Sequence, residues 1–160
     1  MPDWKKSMQQ TFEYYIVDPG TWRDKERIHT VESGSSISWD STADTLGSAV
    51  INVVDTLDEC YLRIYLVTSQ NGVTEKTPLA TVLVQTPTFD FDGKVRKASM
   101  DAYTPLLELK EKLPPLGYSL FKNDRIMESV CRITRENVRA PVVAITNSET
   151  LDVEIGRAHV

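Results

Sequence analysis

The chain has 160 residues, 41% of them hydrophobic, and a formal net charge of −5. This length and apolar content are enough for a folded domain with its own core, which excludes an intrinsically disordered chain. The acidic balance disfavours a dedicated nucleic-acid-binding protein, because such proteins usually carry a basic face.

Targeting and redox features are sparse. The sequence contains no run long and apolar enough to span a membrane. No apolar stretch follows Lys5 and Lys6, so we expect no signal peptide and folding in a cytosol. Cys60 and Cys131 are too far apart and too few to predict a disulfide framework or a zinc site. We therefore expect two reduced, buried thiols and no cofactor.

The N-terminal part of the chain alternates short strands with turns. Residues 12–17 predict an aromatic-rich strand, which Asp18-Pro19-Gly20 ends with a turn. A loop follows at 21–24, and further short strands are predicted at 28–32 and 37–40.

The central part of the chain predicts three strands, at 48–54, 61–67 and 79–86, rich in β-branched and aromatic residues. Asn71-Gly72 lies in a polar loop, 69–78, between the last two, and Asn-Gly favours a hairpin turn. We therefore expect an antiparallel meander. The second strand alternates most clearly, because its leucine and isoleucine side chains fall on one face and Tyr61, Arg63 and Tyr65 on the other.

After the central strands, the spacing of the apolar residues changes from that of strands to that of helices. Residues 88–93 predict a loop, and 94–103 predict an edge strand whose lysines discourage unwanted pairing. Thr104-Pro105 favours the start of a helix, which Pro114-Pro115 would end. A second helix is predicted at 125–136.

Asn123-Asp124 would cap the second helix, and Ile126, Val130 and Ile133 would form its apolar stripe. A short strand at 118–121 and a last apolar run at 141–145 complete the pattern. The fold class is therefore α+β. An antiparallel β-barrel or sandwich occupies residues 1–103, and two short helices belong to an incomplete second part at 104–154.

The end of the chain has an unusual composition. Residues 155–160, Ile-Gly-Arg-Ala-His-Val, back-translate to the start of a widely used sequencing adapter, whose next codon in this frame is a stop. We therefore expect adapter read-through there and a protein that continues beyond Glu154. On that interpretation 141–145 would expose an apolar face whose partners are missing.

Few residues suggest catalysis. Asp90-Phe-Asp92-Gly93 lacks the third acidic position and the final Glu of a calcium loop, so a hairpin turn is the preferred interpretation. A Ser–His–Asp triad would require His29 together with the serines at 33–36, outside any Gly-x-Ser-x-Gly elbow. The scattered aspartates are typical of solvated turns. We expect no enzyme activity and no metal site.

Three tryptophans, Trp4, Trp22 and Trp39, lie in the first quarter of the chain. They are either core residues or part of a partner surface, because tryptophan is enriched at interface hot spots. The candidate partner-interface residues are Trp22, Trp39, Arg63 and Tyr65.

Several segments of the sequence share a pattern with one group of viral proteins. Two of them are Tyr15-Ile-Val-Asp-Pro-Gly-Thr-Trp-Arg-Asp24 and Asp101-Ala-Tyr-Thr-Pro-Leu-Leu-Glu-Leu109. The others are residues 4–7, 33–38, 44–49, 61–65, 83–87 and 92–93. Over most of residues 4–154 the chain resembles the N-terminal part of long-tailed bacteriophage tail proteins of the baseplate-hub kind.

The resemblance implies a barrel domain similar to the tail-tube subunit, a second barrel or insertion, and assembly as a homo-trimer. It implies a structural adaptor between the tail tube and the tail tip or spike. The protein would be located in the virion tail, assembled in the host cytoplasm, and DNA would pass without specific binding. Only one barrel's worth of strands is present in this chain, which departs from the family pattern.

Two alternatives remain open. One is a tail-tip module that binds the host surface, which an exposed cluster of Trp22 and Trp39 beside a groove would favour. The other is a tail-associated hydrolase of peptidoglycan or glycan, which a cleft joining His29 to a carboxylate and a serine would favour.

Overall fold

A computed structural model describes residues 2–54, 57–85, 88–91, 93–112, 118–145, 149–152 and 155–156. The chain divides into two compact units, Met1–Pro105 and Leu106–Val160, and each is described by itself. No helix within the described ranges has the length and apolar character needed to cross a membrane.

The first unit is built on one antiparallel sheet. Its strands in chain order are β1 (Gln9–Val17), β2 (Asp24–Ile28), β3 (Ser36–Trp39), β4 (Gly47–Val54), β5 (Tyr61–Gln70), β6 (Val73–Val84), β7 (Thr88–Phe91) and β8 (Arg96–Tyr103). The order across the sheet is β2-β1-β5-β6-β8-β4-β3, with β7 also paired to β8. The sheet is open, so the barrel is not closed, and no second sheet of a sandwich is found among the described residues of this unit.

One face of this sheet carries the core. On β5, Leu62 and Ile64 are fully buried, as the alternation predicts. The core cluster also takes side chains from β4, β6 and β8, namely Ala49, Ile51, Val53, Ala80, Val82, Val84, Ala98, Met100 and Ala102. Burying a leucine or isoleucine side chain contributes about 1.5–3 kcal/mol, so this layer is a main source of the unit's stability.

The predicted meander is wrong in its first pair. β4 lies between β8 and β3 rather than beside β5. β5 instead takes β1 as its second neighbour, along the whole length of β1. This pairing places Tyr14 and Ile16 opposite Ile64 and Leu62, so the apolar face of β1 joins the core.

The β5–β6 hairpin is longer than predicted. Asn71 and Gly72 have φ values of 52° and 77°, the positive values that a two-residue hairpin turn needs. The strands therefore continue through most of the predicted loop at 69–78. β6 contains a bulge at Leu79, next to Pro78, and a bulge suits a residue that cannot donate a ladder hydrogen bond.

Segment 94–103 is not an edge strand. β8 pairs with β4 on one side and with β6 and β7 on the other. The predicted loop 88–93 contains β7, whose Phe89 and Phe91 continue the pairing with β8. The edge-strand prediction made from the lysines was therefore wrong, because the position of a strand in a sheet depends on neighbours that are remote in sequence.

The predicted strand at 28–32 is also wrong. β2 runs from Asp24 and ends at Ile28. Beyond it, Val31 makes an isolated bridge to Val53. The chain therefore crosses here from the β1–β2 end of the sheet towards β4.

The second unit contains both helices, α1 (Leu106–Glu111) and α2 (Ile126–Asn137), close to the predicted bounds. The short strands β9 (Ser119–Leu120) and β10 (Ile155–Gly156) pair antiparallel. Glu108 of α1 binds Arg139, the second residue beyond α2. Its Oε1 lies 2.6 Å from Nε of Arg139, and its Oε2 accepts the Arg139 N–H at 3.0 Å.

The predicted cap of α2 is wrong. Its N-cap residue is Arg125, which makes no side-chain capping hydrogen bond. Asp124 Oδ2 instead accepts the N–H of Phe121 at 3.0 Å. The side chain therefore closes a turn before the helix.

Burial in the second unit differs from the predicted stripe. Val130 is exposed, and the buried residues of α2 are Ser129 and Cys131. In the apolar run at 141–145, Val143 is 82% exposed. The predicted helix stop at Pro114-Pro115 lies outside the described residues.

Candidate partner interface

Arg63 and Tyr65 lie on the face of β5 opposite the core. Arg63 Nη1 is 2.7 Å from Asp24 Oδ1, and the Tyr65 hydroxyl donates to Asp24 Oδ2, also at 2.7 Å. Arg63 Nη2 donates to the Trp22 carbonyl at 3.1 Å, and Nε donates to Thr81 Oγ1 at 3.2 Å. The guanidinium is thus fixed by β2, β6 and the turn before β2. It is a positioned charge rather than a mobile one.

Trp22 is placed by a tight turn. The N–H and hydroxyl of Thr21 both donate to Asp18 Oδ1, at 2.7 Å and 2.9 Å. Trp22 itself has a positive φ of 56°, which is uncommon outside glycine. Its indole packs edge-on against Tyr61, with ring centroids 4.9 Å apart. The half-buried indole therefore covers part of the outer face of β5.

A second group on the same face was not predicted from the sequence. We call Glu13, Tyr15, Tyr65 and Lys76 the tyrosine–lysine cluster. Lys76 Nζ lies 3.7 Å from the ring centroid of Tyr15 and 4.1 Å from that of Tyr65. The two rings meet edge-on, 5.6 Å apart. A cation over two aromatic faces is stabilised by both ring quadrupoles.

Glu13 is the anion of the tyrosine–lysine cluster, and its side chain is 17% exposed. Glu13 Oε1 lies 2.7 Å from Arg27 Nη1, and Oε2 lies 3.1 Å from Lys76 Nζ. The Tyr15 hydroxyl donates to Oε2 at 3.0 Å. Three donors from β1, β2 and β6 therefore converge on one carboxylate.

The pKa values on this face keep the charges fixed near neutral pH. Burial raises the pKa of Glu13, but hydrogen bonds from Lys76 and Tyr15 and the charge of Arg27 outweigh it, so the pKa lies below 4.5. Burial lowers the pKa of Lys76, but hydrogen bonds to Tyr15 and Glu13 outweigh it, so the pKa lies above 10.5. Burial and the hydrogen bond to Asp24 raise the pKa of Tyr65. The arrangement offers a rigid recognition surface with persistent charge.

Trp39 lies apart from the other three candidates. It lines a groove of about 350 Å³ between β1 and β3, which we call the β1–β3 groove. The described lining residues all have uncharged side chains: Phe12, Tyr14, Ser35, Ser36, Ile37, Trp39 and Leu79. The structure therefore brings Trp22, Arg63 and Tyr65 together and separates Trp39 from them.

The position of Trp39 depends on Gly47, its partner on β4. A Cβ atom at Gly47 would lie 2.9 Å from Cε3 of the indole and 3.0 Å from the Ser38 carbonyl oxygen. The ring thus lies directly over a residue without a side chain. It nevertheless remains 61% exposed.

The described part of the chain offers little support for a catalytic or a metal site. No group of three or more His, Cys, Asp or Glu residues there could hold a metal ion. Ser35 Oγ donates to the Glu32 carbonyl and accepts the Asn52 N–H, both at 3.0 Å. Gly93 has a φ of 88°, as a turn at the predicted position requires. Ser35 and Gly93 therefore have structural roles.

Comparison with protein families and with curated proteins identifies no relative of this chain: no protein-family model matches the sequence, and the curated proteins contain no match to it. The fold and the site define an α+β protein with an open antiparallel sheet and a polar, aromatic outer face.

Proposed function

We propose that this protein is a structural component of a bacteriophage tail, a hub-like adaptor that joins the tail tube to the tail tip or spike. The observation that carries the proposal is the sequence resemblance over most of residues 4–154. An antiparallel sheet followed by short helices is compatible with the tail-tube-like first domain of such a hub. The proposed role needs no cofactor or catalysis. The proposed working state is a homo-trimer in the virion tail.

The outer face of β1 and β5 is the proposed contact with a neighbouring tail protein. Arg63 and Tyr65 are held by Asp24, and Trp22 lies beside them. Tyrosine, tryptophan and arginine dominate the energy of protein interfaces. Side chains fixed before binding lose less conformational entropy when a partner docks. A net charge of −5 is compatible with DNA passing the assembly without binding.

Gene disruption in the phage that carries this sequence tests the proposal. We expect particles without complete tails, and restoration of tails when the protein is supplied in trans. Mutant particles with complete, functional tails would refute the adaptor role.

The groove favours a second candidate, a tail-tip module that binds the host surface. Trp39 is exposed within an uncharged groove, and exposed aromatic side chains are typical of recognition sites. Trp22 does not join it there, so only half of the expected aromatic cluster is present. Mutant particles that have complete tails but fail to adsorb to cells would support this candidate instead.

A further inference from the structure

The β1–β3 groove marks the place where the curled sheet of the first unit stays open. At one end the chain itself spans the gap. Glu32 N–H donates to the Asn52 carbonyl at 2.8 Å, and Val54 N–H donates to the Thr30 carbonyl at 2.9 Å. Residues 30–32 thereby connect the β2 end of the sheet to β4.

At the other end none of the described strands spans the gap. β2 pairs with β1 only from Tyr14 to Val17, so Gln9 to Glu13 pair with β5 alone among the described residues. β3 likewise pairs with β4 alone in the described part of the first unit. Both sides of the groove therefore present backbone N–H and C=O groups that a further strand could bind.

The groove lining defines the side chains that such a strand would carry. Phe12 and Tyr14 come from β1, and Ile37 and Trp39 from β3, with Leu79 contributed by the β6 bulge. Tyr14 and Ile37 also pack against the core cluster. A charged side chain would lose hydration here without a charged partner among the described lining residues. Bulky apolar side chains at alternate positions would bury the exposed rings instead.

We propose that the β1–β3 groove binds one extended, uncharged segment of another protein, which adds a strand to the open sheet. Main-chain hydrogen bonds to β3 and to the first half of β1 supply affinity, and apolar side chains over Trp39 and Phe12 supply selectivity. A neutral sugar is the competing ligand. Of the three described lining hydroxyls, on Tyr14, Ser35 and Ser36, that of Ser35 is already bonded to the Glu32 carbonyl and the Asn52 N–H. This inference does not depend on the proposed tail function.

Selection from an mRNA-displayed library of random segments of about eight residues, a usual strand length, tests the proposal. We expect enrichment of segments with apolar residues at every second position and no proline. A synthetic copy of an enriched segment should bind the intact chain. N-methylation of alternate amides, which removes backbone donors, should weaken binding by about tenfold or more.

Two variants locate the bound segment. Trp39→Ala and Phe12→Ser should each weaken binding about tenfold or more. Trp4→Ala is the matched control, since Trp4 is similarly exposed at 58% but does not line the groove, and it should leave binding unchanged. Far-UV circular dichroism establishes that each variant is folded.

The proposal is overturned if no segment is enriched, if N-methylation has no effect, or if Trp39→Ala and Trp4→Ala behave alike. It is also overturned if the enriched segments show helical rather than two-residue spacing. Titration with a neutral oligosaccharide such as cellohexaose is the parallel measurement. A Trp39-dependent fluorescence shift with the sugar, without binding of peptides, would assign the groove to glycans.

Discussion

Replacing Glu13 by glutamine tests how much the tyrosine–lysine cluster stabilises the first unit. Glutamine keeps an acceptor for the Tyr15 hydroxyl but loses the charge that faces Arg27 and Lys76. A partly exposed ion pair contributes about 0.2–1 kcal/mol. The Lys76 pair lies at the upper end, because Lys76 is also held over two rings.

We therefore expect Glu13→Gln to lower the free energy of unfolding by about 0.5–2 kcal/mol. For a unit of this size that corresponds to a fall in Tm of about 2–10 °C. Thermal and urea unfolding, followed by circular dichroism, measure both quantities. Glu26→Gln on exposed β2 is the matched control and should change stability by less than about 0.5 kcal/mol.

The pH dependence of this difference gives a sharper test. The pKa of Glu13 is lower in the folded chain than its ordinary value of 4.5. Its charge therefore stabilises the fold fully above that value, and the contribution is lost as the pH falls through the folded pKa. The gap between wild type and Glu13→Gln should narrow from about pH 7 to about pH 3. Equal stability at neutral pH, or an unchanged gap in acid, would show that the Glu13 charge does not stabilise the fold.

Three further outcomes follow from burial and close contact. Leu62→Ala should cost about 2–5 kcal/mol in urea unfolding, because Leu62 is fully buried, whereas exposed Val73→Ala should cost under about 0.5 kcal/mol; equal costs would contradict the core assignment. Gly47→Ala should shift Trp39 fluorescence, since the added Cβ meets the indole at 2.9 Å; an unchanged spectrum would contradict that packing. Burial, with Asp58 and Glu59 nearby, raises the pKa of the Cys60 thiol to about 11, so its reaction with a disulfide reagent at about pH 8 should be roughly 100-fold slower than that of an exposed cysteine. That rate is measured in a Cys131→Ser background, and a fast reaction would show that the thiol is not shielded.

Local pattern predicted the elements better than their partners. The alternation at Leu62 and Ile64 located β5 and its buried face, and helical spacing placed α1 and α2 nearly correctly. The position of β4 was wrong because strand order depends on contacts between remote segments. Nothing local in the sequence distinguishes β1 from β4 as the neighbour of β5.

The residues of the candidate interface were likewise easier to predict than their partners. Arg63 and Tyr65 were recognised because they alternate with apolar residues, and Asp24 could have been expected only as a turn residue. Their association through Asp24 spans roughly forty positions of sequence. Glu13 and Lys76 gave no sign of their role, since the cluster forms only when β1, β5 and β6 pair. The separation of Trp39 from Trp22 likewise follows from strand order.

Immuno-electron microscopy of purified virions is the most informative test of the proposed adaptor role. Antibodies against the outer face of β1 and β5 are unsuitable, because a tail partner would cover it, so antibodies to the whole chain and a tagged version of the protein are used together. If the protein is the adaptor, the label lies at the distal end of the tail, where the tube meets the tip. Label along the whole tube or on the head would contradict the adaptor role. Virions that carry no label, and no trace of the protein by mass spectrometry, would contradict it as well.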